Sequence, residues 1–314
     1  MVSLNRRTLL GCTGAAAGAG LFGRSTFANP NGLPVGLQLY SVADDLVKDF
    51  EGTMRKIAEI GYREIEAAGE AGGGHGVKQI ADLGKSLGLS LRSTHTSVPE
   101  LQHAADRIFQ EAHDNGLKYV VCAAPWAKDP SKIKPLDPKD PLFKLAGKFA
   151  PFVNILNNLT LDDWKWMVDL FNHLGEKAKA AGLTFAYHNH NFEFKKLDGV
   201  LPYDLLVENT DPKYVSFELD CGWMVSAGFD PVAYLEKHPQ RYRLLHIKDL
   251  AKDQPAGGIR TTEIGSGTID WKAIFHAAKE ASVTGYYVEQ EPPYERPPLE
   301  SARISYDYLH ALTT

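Results

Sequence analysis

The chain has 314 residues, 44% of them hydrophobic and 23% charged, with a formal net charge of −5. This is the composition of an ordinary globular domain, and an acidic balance without an extended basic run excludes a nucleic-acid groove. Cys12, Cys122 and Cys221 are too few for a disulfide framework, and the length fits one large domain.

The first residues read as a targeting segment. Asn5-Arg6-Arg7-Thr8-Leu9-Leu10 is a twin-arginine pattern, followed by a Gly/Ala-rich stretch to Phe22 and a small-residue cleavage site at Thr26-Phe27-Ala28. Residues 1–28 are therefore expected to direct export to the periplasm or beyond, with 29–314 as the mature domain. The apolar stretch is too short and glycine-rich to span a bilayer, so no stable membrane insertion is expected after cleavage. A lipoprotein is the rival reading, because Leu9-Leu10-Gly11-Cys12 resembles a lipobox behind a very short apolar run.

From there strand-like and helix-like segments alternate. Residues 35–40 read as a first strand, followed by a helix over 49–60 that Gly61 stops. A second strand (62–67) precedes a helix over 77–87, a third (89–95) a helix over 98–115, and a fourth (118–123) a helix over 162–181. The fifth strand, 182–186, runs into Tyr187-His188-Asn189-His190-Asn191-Phe192-Glu193-Phe194, and helix 203–208 follows. Strand 215–220 precedes helix 231–237, strand 243–249 precedes helix 270–281, and strand 285–291 precedes helix 301–312. Parallel strands with helical crossovers follow from this alternation, and eight units in this length predict a single-domain α/β (β/α)8 TIM barrel. An open doubly wound sheet is the alternative. It calls for a glycine-rich turn after the first strand, where the chain has Gln38-Leu39-Tyr40-Ser41-Val42. Residues 125–160 form a long loop, expected to cover the substrate or a neighbouring subunit. A homo-oligomer is left open.

The later strands end in polar residues, and buried polar groups need partners. In a barrel the C-terminal strand ends converge, and neighbouring strands lie about 5 Å apart. His188, Asp220, His246 and Glu289 would then meet around one ion. Two imidazoles with two carboxylates suit Mn²⁺, Zn²⁺, Co²⁺ or Fe²⁺. His190 replaces His188 if the register slips by two. Glu289 is the first candidate base; Glu291, Glu193, His190 and Lys248 stand around it. Lys248 either neutralises an oxyanion or forms a surface ion pair with Asp249. Trp223 stacks on a sugar ring or belongs to the core, and Tyr40, Glu66 and His95 line the far wall of the pocket.

The chain resembles the sugar phosphate isomerase/epimerase family, the xylose-isomerase-like TIM barrels. The resemblance rests on Gly36-Leu37-Gln38-Leu39-Tyr40-Ser41, Tyr187-His188-Asn189-His190, Leu219-Asp220, His246-Ile247-Lys248-Asp249, Gly265-Ser266-Gly267-Thr268-Ile269-Asp270-Trp271 and Val288-Glu289-Gln290-Glu291. It covers nearly everything after the leader and implies a divalent metal held from strands five to eight, with Asp220, His246 and Glu289 at three of those positions. Ketose 3-epimerases of the family carry a glutamate on strand five; His188 stands there instead, as in the inosose-dehydratase-like branch. The expected activity is isomerisation or epimerisation of a sugar or keto-sugar through an enediolate. The alternatives are a lyase or dehydratase on a keto-sugar, inosose or 3-keto-glycoside, and a non-catalytic carbohydrate-binding barrel.

Overall fold

In the computed structural model, which describes residues 29–69, 73–137, 139, 149–255 and 259–312, eight parallel strands close into a barrel. They are β1 (Gly36–Gln38), β2 (Glu64–Ala67), β3 (Ser90–Thr96), β4 (Tyr119–Cys122), β5 (Thr184–His188), β6 (Val215–Asp220) and β7 (Tyr242–Ile247). A two-stranded antiparallel ribbon, β8 (Asp249–Leu250) with β9 (Thr261–Thr262), precedes the eighth barrel strand, β10 (Gly285–Val288). Because β1 pairs with both β2 and β10, the sheet has no edge and the open alternative is excluded.

Strands buried on both faces need apolar runs, and β4 and β6 are buried along their whole length. Inside the barrel, Tyr119, Val121, Ala186, Leu244 and Tyr287 pack as a small separate core beneath the polar mouth. Gly36 makes room for it: a Cβ there would lie 2.5 Å from the Tyr287 ring. Helices shield the outside, and their starts are written in the sequence. Ser97 and Glu100 form a capping box for Val98–Asp114, and Thr160 and Asp163 form one for Leu161–Ala180. Gly182, at φ 79°, turns the chain from that helix into β5.

Several elements escape sequence reading. The first strand stops at Gln38, whose side chain accepts the Tyr40 N–H and turns Leu39–Val42 into a 3₁₀ turn. Short helices form at Ala43–Lys48 and at Cys221–Ser226, the latter capped by Asp220. The long loop contains the helix Ala150–Asn157, with Trp126 stacked on Phe152 at 6.0 Å. Residues 1–28, with the twin-arginine pattern, Cys12 and the proposed cleavage site, lie outside the described residues. Among the described residues no helix is long and apolar enough to cross a membrane.

Candidate metal centre

Strand alternation puts every second residue on the barrel interior. It therefore points Glu218 and Asp220 of β6 inward together, with His188 of β5 and His246 of β7 as their register partners across the neighbouring strands. His188, Asp220, His246 and Glu289 are all buried, and each offers one ligand atom within 4.8 Å of the others. His188 Nε2 lies 3.9 Å from Asp220 Oδ2. His246 Nδ1 lies 3.8 Å from Asp220 Oδ2 and 2.8 Å from Glu289 Oε2.

Asp220 is held with one oxygen occupied and one turned into the site. Its Oδ1 accepts the Trp223 N–H at 2.7 Å, while Asn189 clamps its backbone by accepting from Asp220 N and donating to Asp220 O. Asp220 Oδ2 is buried without a hydrogen bond of good geometry, although Lys248 Nζ is 2.9 Å away. Lys248, fully buried, also lies 3.0 Å from Glu289 Oε2, contacts Glu291 Oε1, and stands 4.9 Å over the Trp223 ring.

The electrostatics follow from burial against these contacts. Burial raises Asp220 to about 6, Lys248 opposing it. Glu289 feels the same burial, but Lys248 and His246 outweigh it and hold the carboxylate well below its usual range. The two acids differ because His246 and Lys248 both sit on Glu289 Oε2, whereas Asp220 also feels Glu289 itself. Burial lowers His188, and its neighbours His246 and His95 lower it further. Burial and Lys248 push His190 down to about 3, so its ring is neutral.

A divalent cation fits this donor set. Five acids, Glu66, Glu218, Asp220, Glu289 and Glu291, crowd around three imidazoles with Lys248 as the one aliphatic cation touching them among the described residues. Glu66 Oε1, Glu218 Oε1 and Asp220 Oδ2 are buried without a hydrogen-bond partner, and the mixed nitrogen and oxygen donors suit a transition ion. His188, Asp220, His246 and Glu289 would hold it.

His188, and not His190, is the fifth-strand residue brought to that set. His190 lies one step further out, its ring stacked on Phe192 at 5.0 Å and 5.4 Å from Trp223, with a buried Nδ1 that has no partner. Trp223 donates from Nε1 to Glu291 Oε1 at 3.1 Å, and Tyr40 is half-buried beside Glu289 and Glu291.

Other placements differ from the sequence reading. Glu66 is fully buried and sits beneath the mouth, against His246; His95 is only slightly exposed and lies between Glu66 and Glu218. Glu193 is also fully buried, its oxygens taken by the Tyr187 hydroxyl and the His190 N–H, so it holds the β5 loop. Lys248 and Asp249 are not a surface pair, since both are buried. Asp249 instead accepts from the N–H groups of Leu250, Gly265, Gly267, Thr268 and Ile269 and from Trp271 Nε1. Glu218 and Gln38 were missed. The available signal was period two: Glu218 stands two residues before Asp220 and faces the same way.

Residues 54–312 match the xylose isomerase-like TIM barrel family. The chain belongs to that family. It is similar to an inosose dehydratase from Geobacillus thermodenitrificans, 32% identical over 155 residues, covering 44% of this chain and 51% of that protein. An inosose dehydratase from Bacillus cereus is 27% identical over 235 residues, covering 70% of this chain and 72% of that protein. The chain spans about half the length of the first inosose dehydratases it matches. Among solved structures, a sugar phosphate isomerase/epimerase from Parabacteroides distasonis superposes with a TM-score of 0.67 at 29% identity, covering 88% of this chain and 94% of that one.

Proposed function

We propose that this family member is a divalent-metal-dependent enzyme that removes the proton next to the ketone of a sugar or sugar-like polyol and returns it to the neighbouring carbon, as an isomerase does, or to the opposite face of the same carbon, as an epimerase does. The observation that carries this reading is the convergence of His188, Asp220, His246 and Glu289 at the C-terminal mouth of the barrel, the face where such barrels place their chemistry. When bound, the ion polarises a carbonyl or hydroxyl oxygen and stabilises negative charge on it. The chain's own residues supply the rest. Glu289, a buried carboxylate 3.0 Å from the Lys248 ammonium, is the base. Lys248 is the cation that faces developing oxyanion charge or returns a proton. Glu291 sets both Lys248 and the Trp223 indole, and is itself held by Thr261 of the ribbon. His190, Phe192, Trp223 and Tyr40 offer ring faces and polar tips to a polyol.

Elimination by a dehydratase or lyase on a keto-sugar, inosose or 3-keto-glycoside is a second reading, favoured by the asymmetry of the site. At the end of β5 stands His188, its Nδ1 turned to Glu218, so the two-carboxylate arrangement of an epimerase is replaced by one base, Glu289, with the Lys248 ammonium 3.0 Å away. A base beside an acid suits loss of a proton and a hydroxyl from one face. The relatives named inosose dehydratase support the same reading.

Chelation tests the shared premise. Turnover of a keto-sugar is expected to vanish on metal removal and return with Mn²⁺ or Co²⁺; full activity after chelation would overturn it. The twin-arginine pattern supports export as a further part of the proposal, and Arg6→Lys with Arg7→Lys is expected to leave the protein in the cytoplasm. Unchanged export would remove that part.

A further inference from the structure

Two histidines at one site can each ligate through either ring nitrogen, and a neutral imidazole carries its single proton on the other one. Here the two rings are turned in opposite senses. His188 presents Nδ1 to Glu218 Oε2 at 3.1 Å and leaves Nε2 facing Asp220. His246 presents Nε2 to Glu66 Oε2 at 2.7 Å and Nδ1 to Glu289 Oε2, itself in the proposed ligand set, at 2.8 Å. Resting on the metal reading above, we propose that Glu218 and Glu66 are positioning residues that fix these opposite tautomers, so that His188 ligates through Nε2 and His246 through Nδ1, with His95 bridging the two carboxylates.

The network is built for this. His95 Nε2 lies 2.8 Å from Glu218 Oε2 and 3.2 Å from Glu66 Oε2, so a single N–H ties them together. Gln38 donates from Nε2 to Glu66 Oε2 at 2.8 Å, and its amide orientation is set by Oε1 accepting the Tyr40 N–H. Gln38, Glu66, Glu218 and His246 have no exposed surface, and β1, β2, β3, β5, β6 and β7 each contribute a residue. A carboxylate that accepts from one imidazole nitrogen keeps the proton there, and the other nitrogen offers its lone pair to the cation.

A rival exists in the same atoms. His95, His188, Glu218 and His246 also bring ligand atoms within 4.8 Å of one another, which would suit a second ion deeper in the barrel. The distances favour the orienting role: His95 and His188 hydrogen-bond the single oxygen Glu218 Oε2 at 2.8 and 3.1 Å, with His246 Nε2 3.1 Å from it, the spacing of hydrogen bonds to one acceptor.

The test is a Co²⁺ titration followed by visible ligand-field spectrum and calorimetry on wild type, Glu218→Gln, Glu66→Gln and a control, Glu64→Gln. Glu64 is a buried carboxylate of the same strand β2 paired with Arg92 away from the site. Wild type is expected to bind one equivalent. Both site variants are expected to bind ~10–100-fold more weakly with altered band intensities, and the control to bind like wild type. Nitrogen-15 NMR of the Zn²⁺-loaded wild type reads the tautomers without any substitution: His188 protonated on Nδ1 and His246 on Nε2. Both rings ligating through the same nitrogen, or site variants indistinguishable from the control in affinity and spectrum, would overturn the proposal. Two equivalents in wild type would replace it with a second ion. A wild type that binds no Co²⁺ would sink the metal reading and this inference with it.

Discussion

Lys248→Met removes a cation from the centre of the acidic cluster, and the structure sets the scale of the effect. The ammonium has no exposed surface, lies 2.9 Å from Asp220 and 3.0 Å from Glu289, and also touches Glu291. At an effective dielectric of about 20, each contact near 3 Å is worth roughly 5 kcal/mol of attraction, much of it offset by desolvation. Removing one partner of such a buried cluster costs about 3–5 kcal/mol, because the remaining charges are left uncompensated. In a chain of this size that lowers Tm by roughly 5–8 °C. A divalent ion supplies the missing positive charge. In wild type, ion at ~100 times its Kd stabilises by about 2.7 kcal/mol; the variant should gain more, since three carboxylates have lost their counter-charge. The assay is thermal unfolding of both proteins in chelator and in saturating Mn²⁺, with turnover measured alongside. Turnover is expected to fall by at least ~100-fold with loss of the cation that faces the oxyanion or returns the proton, while the Mn²⁺-induced rise in Tm is larger in the variant. Equal stability in chelator, or an equal Mn²⁺ shift in both proteins, would refute the reasoning.

Glu289→Gln is expected to retain sugar binding by calorimetry while turnover falls by ~100-fold or more, since it removes the base and one carboxylate of the proposed metal set; a variant turning over normally would move both roles elsewhere. Asp249→Asn turns an NH₂ toward N–H groups now served by a carboxylate. It is expected to cost about 3 kcal/mol, read by denaturant unfolding, with earlier proteolytic nicking of residues 251–269. Glu193, raised by burial from 4.5 to about 7, gives a pH signature. The folded state prefers the protonated acid, so its contribution is neutral below pH 4.5. A penalty then grows to about 3 kcal/mol as pH rises to about 7. The difference in unfolding free energy between wild type and Glu193→Gln should therefore drift in favour of the variant across that window, and a flat difference would show that Glu193 is not perturbed.

Much of this was legible in the sequence because parallel barrels write their strands as apolar runs and their helix ends as caps and glycines. Ser97 with Glu100 and Thr160 with Asp163 are such marks, and Gly182 is another. The mouth was legible for the same reason: His188, Asp220, His246 and Glu289 each follow an apolar run. What was hidden depends on packing between strands distant in sequence. Glu66 and His95 stand 180 and 151 residues before His246, and only barrel closure brings them beneath it. Glu218 was obscured by sitting inside a strand, although its alternation with Asp220 pointed inward. Asp249 reads like half of a surface pair with Lys248, because the loop it gathers lies 16 to 22 residues downstream. Helix Ala150–Asn157 is masked by the prolines and lysines around it.

The most direct test of the central claim is a proton NMR time course in D₂O, comparing metal-loaded with chelator-stripped protein on a panel of ketoses, inososes and 3-keto-glycosides. The account predicts metal-dependent chemistry beside the carbonyl. Deuterium incorporation with the skeleton retained would mean an isomerase or epimerase, and a new vinylic signal with loss of water or aglycone a dehydratase or lyase. Metal-loaded protein that binds these sugars tightly yet exchanges no proton and eliminates nothing would contradict it and leave a carbohydrate-binding barrel.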